Sequence, residues 1–97
     1  MTIKKEQVGT DVTLFIEGRL DTVTSPELEK EILSLNDAEK LTLNFEKVEY
    51  ISSTGLRVLL SAHKEFSKKS GLTLTNVKDA VLDIFDATGF KDILNIE

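Results

Sequence analysis

Tyr50-Ile51-Ser52-Ser53-Thr54-Gly55-Leu56 sets three hydroxyls in a row between two segments of different period. Upstream, Leu41, Leu43 and Phe45 alternate with polar residues, the pattern of a strand with one buried face. Downstream, Leu56, Leu59, Leu60, His63 and Phe66 recur at helical spacing. The change of period puts the hydroxyls at a helix start, where backbone N–H groups lack partners and the dipole presents partial positive charge. Three roles are open to them: nucleophile, phosphoacceptor or helix cap.

A nucleophile needs a base within hydrogen-bond reach, oriented by a third group. His63 is the one histidine, and at ~1.5 Å per residue it lies about 15 Å beyond Ser53 along the helix. The glycine that precedes the nucleophile by two positions in a hydrolase elbow is replaced by Ile51. Both facts argue against hydrolysis, and His63 reads as a partly buried helix residue. The cap remains, because serine and threonine are favoured there. So does the phosphoacceptor, because a helix N-terminus favours an attached phosphate.

Working outward, Ile3 to Val8 and Val12 to Ile16 read as strands joined by a Gly9-Thr10-Asp11 turn. Gly18-Arg19-Leu20-Asp21 is expected to leave the sheet. Ser25-Pro26 then opens a helix with Ser25 as N-cap, or with Thr24 and Glu27 as a capping box. Leu28, Ile32 and Leu35 form its apolar stripe, and Asn36-Asp37 ends it. Lys40 to Phe45 is a third strand, and Leu56 to about Lys69 a second helix stopped by Gly71. Leu72, Leu74 and Val77 suggest a fourth strand. Asp79 to Ala87 reads as a third helix, followed by an apolar tail of Phe90, Ile93, Leu94 and Ile96. Strands joined through helices imply right-handed parallel crossovers after the initial hairpin. The expected architecture is α/β, a mixed sheet with helices packed on it, forming one domain over residues 1–97.

Composition bounds the function. With 40% hydrophobic and 30% charged residues the chain matches a soluble globular domain rather than a disordered one. A net charge of −5 argues against a nucleic-acid partner, which clustered Lys and Arg would grip. There is no cysteine, hence no disulfide scaffold and no thiolate metal site. The carboxylates are scattered, the histidine is alone, and no Walker-type loop is present, so no metal or nucleotide cofactor is expected. No apolar run approaches the ~20 residues that span a bilayer, and Met1 to Glu6 carry no secretory h-region. A cytoplasmic protein without membrane insertion is expected. A monomer is expected as well, since no strongly apolar exposed stripe is evident. Asp21, with Thr22 and Thr24 nearby, is open to two readings: a turn residue that bonds local backbone, or part of a partner surface.

Gly18-Arg19-Leu20-Asp21, the run from Leu41 to Leu56, and Thr88-Gly89-Phe90 followed by Ile93 together resemble a STAS domain. Among these the chain is most similar to the free-standing bacterial anti-sigma factor antagonists, over nearly its whole length. The family motif is an apolar strand, a short turn, then Asp-Ser-Ser/Thr/Ala-Gly-Leu entering a helix. This chain departs at the Asp, where it has Ser52. The resemblance implies a STAS-like fold and a phosphoacceptor at Ser53, with Thr54 as the neighbouring candidate. It implies a partner-binding surface of Asp21, Thr22, Thr24, Ser52, Gly55, Leu56 and Arg57. It also implies a regulator of transcription rather than an enzyme. When unphosphorylated it would bind an anti-sigma factor serine kinase and free a sigma factor, and a serine phosphatase would reset it. The alternative within the family is a structural subunit that is not phosphorylated, beside a membrane lipid transporter or in a stress-signalling assembly.

Overall fold

The computed structural model describes residues 1–97. Strand β1 (Thr2–Val8) pairs antiparallel with β2 (Asp11–Leu20), and β2 runs parallel to β3 (Lys40–Ile51). Two further parallel strands, β4 (Gly71–Thr75) and β5 (Asn95–Ile96), complete a sheet of order β1-β2-β3-β4-β5. Gly9, at φ 63°, opens the two-residue hairpin loop between Val8 and Asp11, a conformation that favours glycine.

Helices α1 (Ser25–Leu33), α2 (Ser53–Phe66) and α3 (Asp79–Thr88) are the three crossovers, and a single 3-10 turn (Phe90–Asp92) follows the last. Right-handed crossovers between strands laid in consecutive order place every helix on one face of the sheet. Burial agrees. Val12, Leu14 and Ile16 of β2 and Leu41, Leu43 and Phe45 of β3 are buried, while Thr13, Phe15, Thr42 and Asn44 on the opposite face are half-exposed. The helices close the core with Leu28 and Ile32, Leu59 and Phe66, and Val81 and Phe85. The Phe45 and Phe85 rings meet in a tilted pair, centroids 6.4 Å apart, which ties α3 to the central strand.

Several expected boundaries are corrected. The Gly18–Leu20 segment stays in β2, and β3 continues to Ile51 rather than stopping at Phe45. Its inward residues are Phe45, Val48 and Ile51, three apart instead of two. The register explains this: Phe15 pairs with Asn44 but Glu17 with Lys47, and Gly18 pairs with Val48 but Arg19 with Tyr50. At each step β3 has one extra residue, the signature of a β-bulge, which breaks the alternation that marks a strand in sequence.

The other corrections concern helix ends and the tail. Thr24, not Ser25, holds the N-cap position of α1, while Ser25 is the buried first helical residue. That helix ends at Leu33, so Leu35 packs into the core from the loop beyond it. Helix α2 ends at Phe66, where the Ser67 hydroxyl donates to the Lys64 carbonyl at 2.7 Å, and Gly71 opens β4 instead of stopping the helix. Val77 lies outside the sheet, whereas the apolar tail contributes β5. That strand is too short for periodicity to reveal.

Candidate functional site

The bulged half of β3 delivers the hydroxyl cluster to the edge where all three parallel crossover helices begin. In α/β sheets ligands and partners meet the carboxyl ends of the strands, which is this edge. Leu20 and Ile51 are register partners, and the Ser52 N–H donates to the Leu20 carbonyl at 2.8 Å. The chain therefore leaves β2 and β3 side by side, into Asp21 on one strand and Ser52-Ser53 on the other.

Ser52 is the N-cap of α2. Its backbone is extended (φ −93°, ψ 175°) and its Oγ accepts the Gly55 N–H at 3.3 Å, while its carbonyl accepts the Leu56 N–H at 2.9 Å. Ser53 and Thr54 are the first two helical residues, and their hydroxyls make no hydrogen bond within the protein. Ser53 is exposed and Thr54 half-buried. The capping work falls to Ser52, which leaves the Ser53 hydroxyl free over the positive end of the helix.

Gly55 explains how the helix can start so close to the strands. A Cβ there would lie 2.7 Å from Ile51 Cγ1 and 3.1 Å from the Leu20 carbonyl oxygen. Only a residue without a side chain fits. Gly55 and Leu56 are both buried, so they seat the site from beneath and present no side chain to a partner. Arg57 is exposed, one turn along from Ser53 on the same helical face.

The Asp21 turn forms the other side of the site. The Val23 and Thr24 N–H groups each donate to Asp21 Oδ1 at 3.0 Å, and the Thr24 hydroxyl lies 3.1 Å from the same oxygen. Thr24 Oγ1 also accepts the Asp21 N–H at 2.9 Å and donates to the Arg19 carbonyl. The Thr24 hydroxyl is thus spent on the turn, and for that reason it does not cap α1. The Thr24 amide, then the Thr24 hydroxyl, the Val23 amide and the nearby Arg19 charge hold the Asp21 carboxyl below its ordinary value, against the opposing effect of burial. Both readings of Asp21 are compatible with this geometry: it organises the turn, and it presents a fixed negative charge beside the hydroxyl cluster. Thr22 is exposed at the tip.

Three further residues share this edge without having been singled out from sequence. The Arg19 guanidinium stacks 4.4 Å from the Tyr50 ring centroid, and the two are register partners. Val23 is 79% exposed, an apolar side chain held out by the turn. Arg19 and Tyr50 are far apart in the chain and only the register brings them together. The sole usable signal for Val23 was an apolar residue inside a polar turn. Behind them, Lys78 at the start of α3 pairs with Glu49 at 2.7 Å.

His63 sits half-buried far along α2, and no group of acidic or imidazole side chains is spaced to hold a metal. A groove of about 410 Å³ between α1 and α2 and a depression of about 320 Å³ on the open sheet face contain none of the cluster residues. No helix is long and apolar enough to cross a membrane.

Comparison with known proteins agrees with this geometry. The family model described as "STAS domain" matches residues 2–97. The anti-sigma-B factor antagonist of Bacillus subtilis (strain 168) is 31% identical over 98 residues, covering 99% of this chain and 90% of that protein. Among solved structures, an anti-sigma factor antagonist from Mycobacterium paratuberculosis superposes with a TM-score of 0.86 at 23% identity, covering 98% of this chain and 83% of the other. SpoIIAA, a Bacillus anti-sigma factor antagonist solved in unphosphorylated and phosphorylated forms, superposes with a TM-score of 0.75 at 18% identity. It covers 99% of this chain, and 87% and 91% of the two SpoIIAA chains. At those identities the structural likeness speaks for the fold.

Proposed function

The chain belongs to the anti-sigma factor antagonist family of STAS domain proteins, and we propose that it is a partner switch thrown by phosphorylation of Ser53. The observation that carries this reading is the division of labour among the hydroxyls. Ser52 caps α2, and Ser53 is left exposed and unbonded at the helix start. Thr54, half-buried, is the less accessible acceptor.

Unphosphorylated, the edge formed by Ser53, Arg57, Val23, Tyr50 and the Asp21 turn docks on an anti-sigma factor that is itself a serine kinase, which releases its sigma factor. The kinase transfers the γ-phosphoryl of ATP to Ser53 Oγ; ADP leaves and the hydroxyl proton passes to a kinase base. The product carries an added charge of about −1.5 to −2 at the contact. Helix N–H groups tolerate that charge in the free protein. A close-packed partner does not, because it must desolvate the phosphate beside the fixed Asp21 carboxylate, so affinity falls without refolding. A serine phosphatase restores the docking form. That SpoIIAA has been solved in both phosphorylation states supports the chemistry.

The test is intact mass with fragment mapping after incubation with ATP and the anti-sigma kinase of the same organism. One added phosphate on Ser53, absent in a Ser53→Ala protein with an unchanged fold, is the expected result. An active, matched kinase that binds the protein but leaves it unmodified would instead favour the constitutive subunit role, in a membrane lipid transporter or a stress-signalling assembly.

A further inference from the structure

Helices α1 and α2 do not close against each other along their outer rims. Between them runs the groove of about 410 Å³, floored by Ile32, Val58, Ala62 and Phe66. The small side chains of Ser61 and Ala62 leave the space that a larger residue would fill. Leu33, on the α1 lip, is 72% exposed, one of the largest apolar exposures in the molecule. Each lip also carries a carboxylate, Glu29 on α1 and Glu65 on α2. Neither is in an ion pair; the one salt bridge of the protein joins Lys78 to Glu49. Lys69, at the end of the groove, is already engaged, its ammonium 3.2 Å from the Ala38 carbonyl and 5.1 Å from the Phe66 ring centroid.

We propose that this groove is a second docking surface, occupied by a basic amphipathic helix of a partner protein. An apolar floor between two parallel helices takes the apolar stripe of a third helix. Lysines or arginines flanking that stripe would meet the unpaired carboxylates on both lips. A second copy of this chain is the poorer occupant, since it would bring the same two carboxylates and a net charge of −5. Along α2, at ~1.5 Å per residue, Val58 and Phe66 lie about 8 and 20 Å beyond Ser53. The groove thus lies beyond the residues on which the phosphorylation reading rests, and the inference stands or falls independently of that switch.

The probe is a fluorescein-labelled helical peptide of about 18 residues, built from Leu on one face and Lys on the other. Its binding to the full chain is followed by anisotropy and mapped by amide chemical shifts. Binding should centre on α1 and the second half of α2. Leu33→Ser, at an exposed position that leaves folding intact, should weaken it about tenfold, and Ala62→Phe should weaken it at least as much by filling the groove. Glu29→Gln with Glu65→Gln should weaken it and flatten its salt dependence. Asp83→Asn on α3 and Ser53→Ala should change nothing. The proposal is overturned by any of four results: no binding, equal binding of a Leu/Glu peptide, shifts confined to α3, or indifference to Leu33→Ser. Self-association of the protein through this face would equally reject it in favour of a second copy.

Discussion

The two halves of β3 are built by opposite rules. From Lys40 to Asn44 the strand stays in register with both neighbours, and the alternation it sets up sends Leu41, Leu43 and then Phe45 into the core. Beyond Asn44 it gains a residue against β2 twice, and from Phe45 to Ile51 inward positions come only every third residue. The regular half binds the molecule together through Leu41, Leu43 and Phe45. The bulged half turns Tyr50 outward against Arg19 and aims Ile51 so that Ser52 can hydrogen-bond Leu20. Regular pairing makes core; bulges steer side chains at a strand's end, where sites are made. One strand does both because the change happens partway along it.

Substitutions in the two halves test that division. The largest loss belongs to the regular half. Phe45→Ala removes a fully buried ring that packs on Phe85, and should lower unfolding free energy by about 3–5 kcal/mol in urea titrations. The fraction still folded should nevertheless be phosphorylated at the normal rate; a loss in that fraction would break the division. Gly55→Ala comes next, at about 1–3 kcal/mol, because its Cβ would press on Ile51 and the Leu20 backbone. Unlike Phe45→Ala, it should also disturb the hydroxyl cluster, visible as shifted Ser52 and Ser53 amide resonances.

Ser52→Ala should lose about 1 kcal/mol, the usual worth of an N-cap, with α2 fraying at its first turn. If Ser53→Ala lost as much, Ser53 rather than Ser52 would be the cap, and the free-hydroxyl argument would fail. Tyr50→Ala should lower stability by only about 0.5–1 kcal/mol, since the Arg19 stack is solvent-facing, yet weaken anti-sigma factor docking far more than Phe45→Ala does. The smallest effect is the pH dependence of Asp21. Its folded pKa is depressed, so its contribution is fully present above the ordinary aspartate value of 3.8 and is lost as pH falls below that through the folded value. Asp21→Asn should flatten that acid limb and leave the stability profile near neutral pH with its original slope.

The legible parts of the fold follow local rules. The hairpin, the three helices and the regular strand segments follow from turn residues and periodicity, and the end of α3 expected at Ala87 falls one residue short of Thr88. What escaped was set by pairing across the sheet. Glu46 to Ile51 has no strand period because its bulges exist only relative to β2. The two-residue β5 has no period to show. Within the site, Ser53 and Asp21 could be named from the chain, whereas the partnership of Arg19 with Tyr50 required the register. The family resemblance implies a partner surface that includes Gly55 and Leu56; the close approach of α2 to Leu20 and Ile51 buries both.

The sequence by itself determined the hairpin, the three helices and the regular strand segments, the hydroxyl run at a helix start, and the family to which the chain belongs. These depend on neighbours along the chain, whose spacing is written in the residue order. Only the tertiary structure decided that Ser52 caps while Ser53 stays free, and that the Asp21 turn opens beside them. It also decided that a groove remains between α1 and α2. Each of these depends on the bulged register of β3 against β2 and on how closely a helix can approach two strands. Such distances between residues remote in sequence are set by packing, and no local pattern encodes them.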